Sequence, residues 1–182
     1  MKIKKCLIAV FLSVVLLITF AGCGKGLEPN VKEGRFDFSV TYEVDGELET
    51  VSGVFVCEFA EVVKALDGAY IEWNSYIEDT ELSNRLDQNR GYLPLKTCDD
   101  GVIYLDFCLS AKYFMSDPSF GNTNINTDAA ISSISPRLFI EYNETKGEEL
   151  GKWWSEDVTV LDSYGAKIIG YEYDVPIENI YK

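Results

Sequence analysis

Residues 35–59, RFDFSVTYEVDGELETVSGVFVCEF, decide the fold. From Arg35 to Val44 the chain alternates strictly: Phe36, Phe38, Val40, Tyr42 and Val44 share one face, while Arg35, Asp37, Ser39, Thr41 and Glu43 share the other. Period two is the signature of a half-buried strand. Asp45-Gly46 follows, the dipeptide favoured in a two-residue type I′ hairpin turn. That turn sets Val40 against Val51, Phe38 against Gly53 and Phe36 against Phe55, so apolar meets apolar along the core side. Gly53 opposite Phe38 reads as space left for the ring.

Outward from this hairpin, Ala60 to Gly68 is mixed, with a turn expected at Asp67-Gly68. Ala69–Ile77 alternates again, placing Ile71, Trp73 and Ile77 on one side and Tyr70, Glu72, Asn74 and Tyr76 on the other. Residues 79–91 are polar, with a short helix expected around Glu81–Leu86. Tyr92 to Met115 reads as a second hairpin turned at Asp100-Gly101, with a very apolar return strand over Val102–Leu109. Residues 117–136 form a long loop rich in Ser, Asn, Thr and Gly. Leu138–Tyr142 and Lys167–Val175 read as further strands. Between them Ser155 is placed to cap a short helix that carries Glu156 and Asp157 in its first turn and ends at Gly165; Val158 and Val160 equally suit a strand. The expected fold is mainly β: an antiparallel sandwich or strongly curved sheet with one or two short helices, forming a single domain over residues 35–182.

The head of the chain supplies an address. Lys2, Lys4 and Lys5 precede a run of 14 residues, Leu7–Phe20, that is apolar except for Ser13 and Thr19. This is the length of a signal peptide, short of the roughly 20 apolar residues of a membrane span. Phe20-Ala21-Gly22-Cys23 follows. It resembles the lipobox of bacterial lipoproteins, with Phe20 where Leu is usual. The whole chain is similar to small lipoproteins of Gram-positive, clostridial-type bacteria, a likeness that implies no activity. The resemblance implies cleavage before Cys23, diacylglyceryl transfer to its sulfur and residence at the outer face of the cytoplasmic membrane. A plain secretory peptide, or an N-terminal anchor with a coincidental Cys, is the competing reading. Residues 1–22 are thus a leader and residues 23–34 a lipidated Cys and tether; the Gly, Pro and charge of 24–34 suit a linker reaching at most about 40 Å.

Composition narrows the partners. The leader holds three Lys and no acid, leaving 13 basic against 30 acidic residues and a net charge of −17 in residues 23–182. Nucleic acid needs a basic face and is not expected. The partners expected are the membrane, through the lipid, and an envelope protein, peptide or glycan. Cys57, Cys98 and Cys108 remain after the leader and Cys23 are set aside, an odd number. With Cys98 opposite Ile103, Cys108 lies roughly 16 Å along the strand, far beyond the ~7 Å that a disulfide tolerates. Free thiols are therefore expected. Cys57, facing inward with Phe55 and Phe59, reads as a core residue.

Histidine is absent, which excludes Ser-His-Asp and Cys-His nucleophile systems and all His-ligated metal sites. No glycine-rich phosphate loop is present, and no cofactor, metal or catalytic residue is expected. Asn122, Asn124, Asn126 and Asp128 alternate as in a calcium loop, but Thr127 and Ser133 stand where Gly and Glu are needed. Trp73, Trp153 and Trp154 form either core or an aromatic platform; as strand neighbours Trp153 and Trp154 must face opposite ways. The functional expectation is a noncatalytic binding or accessory module of the envelope, with a carboxylate-dependent, glycosidase-like hydrolase as the alternative.

Overall fold

The computed structural model describes residues 27–65, 68–117, 134–143 and 154–181. The chain is mainly β, in two antiparallel sheets. One holds β1 (Glu33–Val44), β2 (Glu47–Ala65), β3 (Gly68–Ile77) and β8 (Ala166–Tyr173), in the order β3-β2-β1-β8. The other holds β4 (Leu93–Thr97), β5 (Gly101–Asp106), β6 (Arg137–Tyr142) and the two-residue β7 (Trp154–Ser155), in the order β4-β5-β6-β7. Among the described residues there are three short helices: α1 (Thr80–Gln88), α2 (Ala111–Phe114) and α3 (Val158–Ser163). None of these described helices is long and apolar enough to cross a membrane.

The β1–β2 hairpin has the register that its alternation demands: Phe36 faces Phe55, Phe38 faces Gly53 and Val40 faces Val51. Asp45 (φ 55°) and Gly46 (φ 85°) both take the left-handed conformation that a type I′ turn requires. A β-carbon on Gly53 would lie 3.0 Å from the tip of the Phe38 ring, so the glycine does make room for it. One hydrophobic cluster spans both sheets, joining Phe36, Phe38 and Val40 of β1 to Ile103 and Leu105 of β5 and to Leu138 and Ile140 of β6. Each fully buried Phe or Leu contributes roughly 2 kcal/mol of transfer free energy. Phe38 meets Phe107 edge-on at 5.2 Å, and Phe36 lies 4.7 Å from Phe114.

Several local expectations are corrected. β2 runs on to Ala65 through an irregularity between Phe59 and Glu61, where the sequence looked mixed; the turn expected at Asp67 lies outside the described residues. In the second hairpin the pairs are Lys96 with Ile103 and Thr97 with Val102, so the turn is Asp99-Asp100 and not Asp100-Gly101. The cause is Gly101 itself. A β-carbon there would sit 2.5 Å from the Glu141 carbonyl oxygen of β6, so its bareness serves the close approach of two strands. β5 stops at Asp106, short of Leu109: Cys108 turns the backbone left-handed (φ 53°), and α2 follows beyond the expected strand, inside the stretch to Met115 that was read as hairpin. The helix near 158 forms, but its cap is Asp157, whose Oδ1 accepts the Thr159 N–H at 2.9 Å. Ser155, the expected cap, pairs instead with Ile140 in β7.

The expected linker is also shorter than its composition suggests. Pro29 is buried and bridges to Tyr181, and residues 29–31 exchange hydrogen bonds with residues 179–181 before β1 begins at Glu33.

Candidate aromatic binding face

Antiparallel sheets commonly turn polar residues to solvent. On the second sheet that outer face is mixed: Tyr104 and Phe139, which alternate with the core residues Ile103, Leu105, Leu138 and Ile140, share it with Asp106, Arg137 and Glu141. Tyr104 pairs directly with Phe139 across the strands, and their rings stack at 5.4 Å with 22° between planes. Tyr92, just before β4, closes the group: its ring is 4.8 Å from Phe139, edge-on, and 6.2 Å from Tyr104. Phe139 is buried beneath the two half-exposed tyrosines. An aromatic pair of this kind gains about 1 kcal/mol beyond its buried area.

A charged pair borders the rings. Glu141, next outward on β6 and almost wholly buried, forms an ion pair with the exposed Arg90 guanidinium. The carboxylate, with Tyr104 adding to it, holds the Arg90 guanidinium above its ordinary value. Arg90 (φ 62°) and Gly91 (φ 88°) turn the chain out of α1, which swings Tyr92 across the sheet. Opposite Glu141 in β7 stands Trp154; its side chain lies outside the described set. The result is a half-exposed aromatic cluster with a polar edge, two tyrosine rings over a buried Phe139, which suits a ring-bearing or amphipathic ligand through contact rather than bond-breaking chemistry.

The residues singled out in the sequence are scattered. Trp73 is half-buried on β3, edge-on to Phe59 at 6.0 Å, with its Nε1–H donating to Asp117 Oδ2 at 3.0 Å, so it is a packing residue. Cys23, Trp153 and the Asn122, Asn124, Asn126 and Asp128 loop lie outside the described residues. Cys57 is wholly buried, as expected of a core residue, and burial pushes its thiol up to about 12. Cys98 and Cys108 are half-buried and, like Cys57, not in a disulfide.

Carboxylates line more than one cleft among the described residues: Asp37, Glu172 and Asp174 border a space of about 640 Å³ along β1, β2 and β8, where Asp174 Oδ2 accepts the Asp37 N–H at 2.8 Å. A space of about 440 Å³ between α1, β3 and the chain after β5 is lined by Asp87 and Asp106. Asp106, however, is engaged on both oxygens: Oδ2 accepts Arg137 at 3.0 Å and Oδ1 accepts the Cys108 N–H at 2.8 Å. Among the described residues no group of three or more Cys, Asp or Glu side chains is placed to hold a metal ion. Comparison with known proteins finds no matching family model, no matching curated protein and no matching solved structure.

The tyrosine and phenylalanine group was not legible beforehand. Positions 92, 104 and 139 come together only once strand register is known. The signal that points to it is that the runs Val102–Leu105 and Leu138–Ile140 are uninterrupted by a polar residue, where a one-sided sheet would alternate.

Proposed function

We propose that this chain is an extracytoplasmic lipoprotein, anchored through Cys23, that serves as a noncatalytic binding or accessory module at the cell envelope. The observation that carries the binding role is the cluster of half-exposed Tyr92 and Tyr104 over Phe139, with the Arg90–Glu141 pair at its edge. Aromatic residues beside an Arg are the side chains most enriched where binding energy concentrates, and flat rings also stack on the apolar faces of sugars. The partner class is an envelope protein, peptide or glycan; the net charge of −17 in residues 23–182 turns nucleic acid away. The hydrolase alternative requires two facing carboxylates free to exchange protons, and Asp106 is committed to Arg137 and a backbone N–H.

A photo-crosslinking residue at position 104, compared in intact cells with the same residue at the exposed Glu72 of β3, tests the reading. A discrete adduct at 104 that recurs at 92 and is absent at 72 is expected. Indistinguishable adduct patterns at 104 and 72 would overturn it.

A further inference from the structure

Residues 29–31, just before β1, are tied to the chain's last described segment. Asn30 N–H donates to the Ile180 carbonyl at 2.9 Å, and Ile180 N–H returns to Asn30 Oδ1 at 2.6 Å. The Asn179 side chain clasps Val31 from both sides, accepting its N–H at 3.0 Å and donating to its carbonyl at 2.9 Å. The 177–181 segment is itself fastened to the body: Ile177 N–H donates to the Phe114 carbonyl, and the Tyr181 hydroxyl donates to the Met115 carbonyl at 2.6 Å. Residues 29–31 are therefore part of the folded unit.

Geometry then orients the molecule. Cys23 lies four residues before Leu27 and six before Pro29, so at most about 14 Å and about 20 Å of extended chain separate them. β1, with 12 residues, carries the Asp45-Gly46 turn roughly 36 Å from the clasp at ~3.3 Å per residue. The clasp end is thus held near the lipid and the β1–β2 turn far from it. On the clasp end Ile180 is 63% exposed, an apolar side chain in the place that the short leash brings to the membrane.

We propose that the 29–31/179–181 clasp docks on the bilayer that holds the lipid of Cys23, with Ile180 in the interfacial layer and the Asp45-Gly46 turn pointing outward. This rests on the lipidation of Cys23. A strongly acidic chain is not drawn to an anionic bilayer by charge, so the contact depends on the acyl anchor. The clasp halves the reach that the tether's composition implies, and it presents the second sheet's aromatic face sideways to the membrane plane instead of letting it tumble.

The test uses the full chain, processed in a Gram-positive host and reconstituted into phosphatidylglycerol–phosphatidylethanolamine vesicles, with a benzophenone amino acid at position 180 or at position 48. Leu48, at 64% exposed, matches Ile180 in exposure but sits beside the distal turn. Both substitutions spare the clasp, which uses only the backbone of Ile180. Phospholipid adducts several-fold more abundant at 180 than at 48, on a protein whose mass carries the diacylglyceryl group, are the expected result. Equal yields on a lipidated protein overturn the docking alone. A mass without the lipid increment overturns the anchoring and the docking together.

Discussion

At Gly101 the fold tolerates no side chain at all. The 2.5 Å gap between a built β-carbon and the Glu141 carbonyl oxygen involves backbone on both sides, so relief requires β5 and β6 to separate. Gly101→Ala is expected to cost about 2 kcal/mol, read as a lower denaturant midpoint with an unchanged slope. Cys57 gives a second prediction. Burial raises its thiol from 9.0 to about 12, so the unfolded chain releases this proton first. Its contribution to stability is therefore complete below about pH 9 and lost as pH rises toward 12. Cys57→Ala is expected to flatten the alkaline limb of a stability-against-pH curve while lowering its plateau, and in the wild type Cys57 should react with a thiol reagent only after denaturation. At the candidate site, Tyr104→Ala is expected to reduce the adduct formed at position 92 roughly tenfold, the loss of one binding hot spot, without loss of secondary structure by circular dichroism.

Among the elements, α1 is held at its N-terminus by a side-chain cap. Asp79 Oδ1 accepts the Leu82 N–H at 2.7 Å, and Leu82 and Leu86, four residues apart, bury the inner face. Asp79→Ala should lower stability by about 1 kcal/mol, with hydrogen exchange accelerated in the first turn of α1. Local rules were enough to read this helix, just as alternation and Asp45-Gly46 were enough to read the pairing of β1 with β2 down to the register. The second hairpin was misread because its glycine answers to a strand that is not its neighbour in sequence. Asp100-Gly101 has the composition of a type I′ turn, yet Gly101 is spent on the approach of β6, and the turn falls on Asp99-Asp100, where neither residue has positive φ. The same holds for the end of β5: nothing in the apolar run Val102–Leu109 announces that Cys108 leaves the strand. Long-range packing chose in both places, and period and propensity do not carry it.

Across the whole molecule, the fold class was legible because alternation states which face is buried. The candidate site was not, because it is made of cross-strand neighbours and a helix exit, Arg90-Gly91, rather than of a motif. The three tryptophans drew notice in the sequence for their size, yet the one whose side chain is described is a packing residue bound to Asp117. The function proposed therefore has two independent legs: the leader, which sets the address, and the aromatic face, which supplies a surface to bind with. In the proposed docking, the clasp between residues 29–31 and 179–181 joins them by fixing how that surface would be held relative to the membrane.

The address is the premise that both the function and the docking share, and it is tested most directly by the intact mass and membrane partition of the chain made in a Gram-positive host, beside a Cys23→Ala variant. The account predicts a wild-type protein that begins at Cys23, carries a diacylglyceryl increment and stays with the membrane fraction, and a variant that keeps its leader. Wild type and variant both released after a cut elsewhere, with no lipid increment, would contradict it.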